Sequence, residues 1–132
     1  MAKLVNFSVR TSSTTDFIKI DQQVQKIVSE SGIKDGICCI FVSHTTAAVT
    51  INEGADPSVV RDIEMELNKV VPFQDNYLHL EGNSAAHIKT SMIGASEVVI
   101  IEGGSIKLGT WQSIFFCEFD GPRTRTVWVK II

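Results

Sequence analysis

Cysteine is scarce in this chain, with three in 132 residues, and the three make no framework. Cys38 and Cys39 are adjacent, so on a strand they point to opposite faces, and Cys117 is distant. An odd count inside apolar runs reads as buried, reduced thiols in a reducing compartment. Long apolar runs are lacking too. The longest, Ile37 to Val42, falls far short of the roughly 20 residues of a membrane helix. A polar residue, Asn6, comes too early for a signal-peptide core. The expected setting is the cytoplasm, with no membrane partner. Positive charge is in deficit, with 12 Lys and Arg against 15 Asp and Glu. A general nucleic-acid binder needs a basic footprint, so the charge argues against nucleic acid as a partner, although a local basic cluster stands near the C-terminal end. Walker loop, Rossmann fingerprint, nucleophile elbow and Cys-x-x-Cys pair are all missing, which removes the commonest nucleotide, hydrolase and redox readings. With no linker, low-complexity stretch or repeat, residues 1–132 are expected to form one domain.

What is present is a large apolar fraction, 44%, enough to fill a core without metal or disulfide staples. Val5, Phe7 and Val9 alternate with polar residues as in a half-buried strand, and Phe17 to Ile20 suggests a second strand pairing back on it. Asp21 is a candidate N-cap for a helix through Val24, Ile27 and Val28 that Gly32 ends. Ile37 to Val42 reads as a central strand, and Ala47 to Ile51 as the next. Asp56-Pro57 starts a helix that carries Val60, Ile63, Leu67 and Val70 at helical spacing up to Pro72. A third helix starts at Asn83 or Ser84 and runs to Gly94. The remainder reads as strands joined at Gly103-Gly104 and Asp120-Gly121-Pro122, and consecutive hairpins imply antiparallel pairing. The class is α+β, a compact sandwich of mainly antiparallel sheet with about three helices.

Polar residues concentrate in three stretches. His44 leaves a core strand and opens His44-Thr45-Thr46, with Asn52, Glu53 and Asp56 further on. The stretch Tyr77 to Lys89 holds His79 and His87 around Gly82-Asn83-Ser84. At ~100° per residue Ala85, Ile88 and Met92 share one helix face, with His87 nearly opposite beside Asn83 and Ser84, so a core histidine is disfavoured. The Asn83–Ser84 helix start also offers free N–H groups to an anion. His44, His79 and His87 suit either a metal with an open fourth position or acid–base work near neutrality, and their spacing does not decide between these. Arg123 and Arg125 alternate with Thr124 and so are expected to share a face suited to gripping phosphate or carboxylate. Glu118 and Asp120 are likewise two apart, either to hold a divalent cation or to counter the arginines.

Three long motifs then point to a family. Ser43 to Glu53, Gly82 to Lys89, and Gly109-Thr110-Trp111-Gln112 through Cys117-Glu118-Phe119-Asp120-Gly121-Pro122-Arg123 resemble the YjbQ-like proteins, often labelled secondary thiamine-phosphate synthase enzymes. The likeness runs from about Ile40 to Val129, and Gly54 departs from the asparagine common in the family at that rim position. The resemblance implies a homotrimer and a transferase that joins a pyrimidine pyrophosphate to a thiazole phosphate, releasing pyrophosphate. On that reading His44, His79, His87 and Glu53 are the catalytic set, binding a divalent cation (zinc or magnesium) or shuttling protons. Lys89, Arg123, Arg125, Asn83 and Ser84 take the anionic groups of a small phosphorylated substrate, and Thr45, Asn52 and Gln112 line it. Trp111 either stacks on a ring or belongs to the core. The alternatives are a metal-dependent hydrolase built on the three histidines and a non-catalytic phosphate-ester binding protein.

Overall fold

The computed structural model describes residues 3–132. The elements run β1 (Lys3–Arg10), β2 (Asp16–Lys19), α1 (Asp21–Ser31), β3 (Gly36–Val42), β4 (Ala47–Glu53), α2 (Pro57–Val70), α3 (Ser84–Ile93), β5 (Ser96–Glu102), β6 (Ser105–Ile106), β7 (Gln112–Glu118) and β8 (Thr124–Ile131). They build two sheets, a large one ordered β1-β8-β3-β5-β6 and a small one ordered β2-β7-β4. Every pairing is antiparallel. The α+β class and the three helices are as expected.

The expected run of hairpins is not what forms. Among the described residues only β5 and β6 pair across a tight turn, at Gly103-Gly104, where both glycines have positive φ. β2 pairs with β7 rather than back on β1, and the Asp120–Pro122 corner carries the chain from the small sheet into the large one. The cause lies in β7, which is buried from Ser113 to Glu118 and so must be central and covered on both faces. Its alternate side chains serve two cores. Ile114 and Phe116 join Val49, Ile40, Val42, Val127, Val129 and the α1 residues Val24, Ile27 and Val28 between the two sheets. Phe115 and Cys117 face the other way, packing with Ala48, Ala86 and Phe119 beneath α2 and α3.

Local signals set the helix ends. Asp56 Oδ1 accepts from Ser58 N at 2.9 Å with proline in the first turn, as the sequence suggests. Asp21 does not cap α1; it is the first helical residue, and its carboxylate takes the Ile114 N–H of β7 instead. Gly32 ends α1 at φ 74°, a conformation glycine adopts without strain. α3 is turned from the expected phase. Its buried residues are Ala85, Ala86, Lys89 and Thr90, whereas Ile88 and Met92 are exposed. The two small alanines let the helix lie close on the small sheet, and the lysine stem fills the next turn.

One face of the large sheet is left open. Register sets Phe41 beside Trp128, Cys39 beside Val98 and Ile37 beside Ile100, all on the side away from the core. Leu4, Ile37, Phe41, Val98 and Ile100 are exposed there, and Cys39 is half-buried while Cys38 and Cys117 are buried. The reading of three buried thiols is therefore right for two. Among the described residues no helix is long and apolar enough to cross a membrane.

Candidate functional site

Strand register divides the sequence-predicted residues into two groups. β4 and β7 run antiparallel with Ala47 opposite Glu118 at one end and Glu53 opposite Gln112 at the other. Six residues of strand separate these ends, about 20 Å at ~3.3 Å per residue. His44, Thr45, Asp120 and Arg123 flank the first end, and Asn52, Glu53, Trp111 and Gln112 lie at the second. Within one chain Glu53 therefore does not work beside the histidines.

The first end is built on a buried ion pair. Arg125, 3% exposed, donates from Nε to Glu118 Oε1 at 2.8 Å and from its Nη2 to Glu118 Oε2 and Thr46 Oγ1. Glu118, fully buried, also accepts from Thr11 Oγ1 at 2.9 Å and from the Asp120 N–H at 2.9 Å. Burial alone would raise the Glu118 pKa, but Arg125, the Asp120 N–H and the Thr11 hydroxyl together hold it below the ordinary range. The expectation that Arg123 and Arg125 share a ligand-facing side is corrected. β8 begins only at Thr124, so Arg125 points inward while Arg123 stays in the turn, half-exposed, with Asp120 Oδ2 3.0 Å away. Each carboxylate counters one arginine.

Around this support stand the histidines. His44 Nε2 accepts the Thr126 N–H at 2.9 Å, which requires a neutral ring with its proton on Nδ1. Burial lowers its pKa, and the nearby Arg125 charge adds to the effect. His79 and His87 meet edge to face with ring centroids 5.4 Å apart, and His79 Nε2 lies 3.9 Å from Glu81 Oε1. Asn83 Nδ2 links this pair to the arginine end, donating to Glu81 Oε2 at 3.0 Å and to Asp120 Oδ2 at 2.9 Å. Asn83 is the N-cap residue of α3 but its side chain makes no capping bond, its buried Oδ1 has no partner, and the helix leaves its first N–H groups free at Ser84 and Ala85. Glu81 went unnoticed in the sequence; its place two residues after His79 was the available signal.

Lys89 does not reach this cluster as an anion ligand. It is 1% exposed, donates to Asn68 Oδ1 at 2.5 Å and lies 4.4 Å from the Phe73 ring centroid. Burial depresses its pKa, against a smaller opposite pull from Glu64. Trp111 is 63% exposed, which removes the core alternative for that residue. At the second end Glu53 Oε2 accepts from the Ala55 and Asp56 N–H groups at 3.3 and 3.2 Å. A three-histidine metal centre is not assembled within one chain. Among the described residues no three His, Cys, Asp or Glu side chains group as metal ligands.

The arrangement defines a class: an α+β sandwich with a histidine, arginine and carboxylate cluster at one end of its small sheet. This chain belongs to the YjbQ-like UPF0047 family, whose profile matches residues 5–132. It is 50% identical to the UPF0047 protein MJ1081 of Methanocaldococcus jannaschii, over 98% of this chain and 94% of that one. It is 45% identical to the UPF0047 protein YugU of Bacillus subtilis, over 98% of both. The crystal structure of an uncharacterized YjbQ/UPF0047 family protein from Clostridium acetobutylicum superposes with a TM-score of 0.95 at 55% identity, covering 97% of this chain and 99% of that one. A YbjQ-like protein of unknown function from Sulfolobus solfataricus gives a TM-score of 0.95 at 35% identity, covering 99% and 96%.

Proposed function

We propose that this chain is a cytoplasmic enzyme acting on a small phosphorylated substrate at the His79–His87 end of the small sheet. The observation that carries the reading is the pair of touching imidazoles outside the core, at a helix N-terminus, linked to Arg123 through Glu81, Asn83 and Asp120. The free N–H groups of α3 and the Arg123 guanidinium suit a phosphate. His79 and His87, both reachable from solvent, suit proton transfer. This accommodates the transfer implied by the family resemblance, in which a thiazole nitrogen takes the pyrimidine methylene carbon as pyrophosphate leaves. The demand on the protein there is charge neutralisation and positioning.

Metal-dependent hydrolysis is the second reading, favoured by the His79–His87 contact alone. Two imidazoles suit zinc better than magnesium, and a third donor would have to come from outside this pair, so no step is routed through a metal. A second copy is a source. The open apolar face of the large sheet suits the subunit contact of a homotrimer, and light scattering at the mass of one chain would dismiss it.

The test is His79→Ala and His87→Ala, with Ile88→Ala as control. Pyrophosphate release from the pyrimidine substrate and calorimetric titration of a phosphate ester should both weaken, binding by roughly 1–3 kcal/mol. Stability should stay within about 0.5 kcal/mol of wild type for the histidine variants. Ile88→Ala should also be mild, below about 1 kcal/mol, because that side chain is partly exposed. Unchanged binding and turnover in both histidine variants would overturn the reading. Zinc retained by wild type and lost from both histidine variants would favour the metal reading.

A further inference from the structure

At the opposite end of the small sheet, we propose a separate binding site for a flat organic cation, an aromatic or heteroaromatic ring bearing an amine or amidine. It is independent of the histidine reading. A cavity of about 410 Å³ opens between β2, the end of β4 and the start of α2, walled by Phe17, Phe115 and Val60 and edged by Lys19, Glu53 and Asp56. That volume lies within the ~300–1,000 Å³ of small-molecule sites, and such sites join apolar walls to a few convergent polar groups. The two phenylalanines come from paired strands and pack edge to face at 6.4 Å, giving the cavity an aromatic, apolar wall.

The polar edge selects charge. Glu53 uses one oxygen, Oε2, to hold the Ala55 and Asp56 N–H groups. Asp56 uses one oxygen, Oδ1, to hold the Ser58 N–H and hydroxyl at 2.9 and 2.7 Å. Each carboxylate is thus fixed by one atom, and its other oxygen has no partner among the described residues. The Lys19 ammonium is already engaged with the Gly54 carbonyl. The lining thus sets two carboxylates against one ammonium, and this net negative charge favours a cation over a phosphate ester.

The cavity is also preformed. The Gly54 N–H donates to Trp111 O at 2.8 Å, pinning the loop to β7. A Cβ on Gly54 would fall 1.9 Å from Ser113 Oγ, so this close approach needs a residue without a side chain.

The experiment titrates the intact protein with benzamidine, neutral benzamide and benzoate at low ionic strength, followed by calorimetry and by NMR of the phenylalanine and valine signals. Benzamidine should saturate and bind at least 10-fold more tightly than benzamide, with benzoate showing no saturation. Glu53→Gln keeps an oxygen for the loop N–H groups but removes the charge. It should weaken benzamidine about 5- to 10-fold and leave benzamide alone. Val60→Trp fills the cavity and should abolish both. Equal affinity for benzamidine and benzamide, saturable benzoate, or an unaltered Glu53→Gln titration would overturn the proposal. If Val60→Trp does not fold, the NMR shifts decide: changes at Phe17, Val60 and Phe115 support the site, and changes confined elsewhere refute it.

Discussion

Cutting the Glu118–Arg125 pair should destabilise the protein without touching ligand binding directly. Glu118 is fully buried and Arg125 nearly so, and breaking one side of such a pair typically costs about 3–5 kcal/mol, because the surviving charge is left buried. The two halves are not equivalent. Arg125→Met leaves Glu118 with the Thr11 hydroxyl and the Asp120 N–H, so its cost should lie near 3 kcal/mol. Glu118→Leu leaves a guanidinium with only the Thr46 oxygens as acceptors, so its cost should lie near 5 kcal/mol. For a domain of this size ~3 °C of melting temperature corresponds to 1 kcal/mol, giving drops of about 9 and 15 °C. The double variant should recover most of the loss, since an apolar pair replaces an ionic one. The folded-state pKa of Glu118 lies below its unfolded value, so the pair's stabilisation is present above the ordinary carboxylate range and is lost as pH falls through the lowered value. Thermal melts read by circular dichroism, repeated from pH 7 down to about pH 3, test both parts. A melting temperature within 2 °C of wild type for Arg125→Met, together with weakened phosphate-ester binding, would show that Arg125 grips ligand and would refute the structural role.

Two further outcomes are expected. Because burial lowers the His44 pKa, its contribution to stability is full above the unfolded value of about 6.5 and falls away as the pH drops below it. The melting temperature of His44→Asn should therefore decline less than that of wild type between pH 7 and pH 5, and parallel curves would contradict this. Of the thiols, Cys39 should react first with a thiol reagent, because burial pushes Cys38 up to about 11 and raises Cys117 further. Mass spectrometry finding Cys117 labelled before Cys39 in the native protein would oppose that order.

What the sequence made legible was what depends on neighbours in the chain. Asp56-Pro57 starts a helix wherever it stands, and Gly103-Gly104 turns a hairpin, because each specifies its backbone locally. Pairing partners were not legible. Whether Phe17 meets β1 or β7 depends on contacts far along the chain, and only the fully apolar run Ile114 to Phe116 hinted that β7 was central. The phase of α3 misled because Ile88 outranks Ala86 in hydrophobicity, while close packing on a sheet selects the smaller residue. At the site, His79 and His87 were brought together as their shared motif suggested. Glu53 was grouped with His44 too readily. An extended strand between two residues separates them by its own length. Arg123 and Arg125 were misplaced because alternation holds only inside a strand, and Arg123 lies outside it.

The position of β8 has a kinetic consequence. It lies between β1 and β3, and its register joins Lys3 to Ile131 and Cys38 to Ile131, so the large sheet closes only when a segment remote in sequence arrives. Loop-closure entropy opposes that step until many contacts form at once, placing refolding toward the millisecond-to-second end for domains of this size. Until then β1 and β3 each present an unpaired edge, and unpaired edges recruit strands from other molecules. A chain halted before β8 would keep both edges open indefinitely, so aggregation of this protein should depend less on mutations that loosen the finished fold than on anything that delays its seventh and eighth strands.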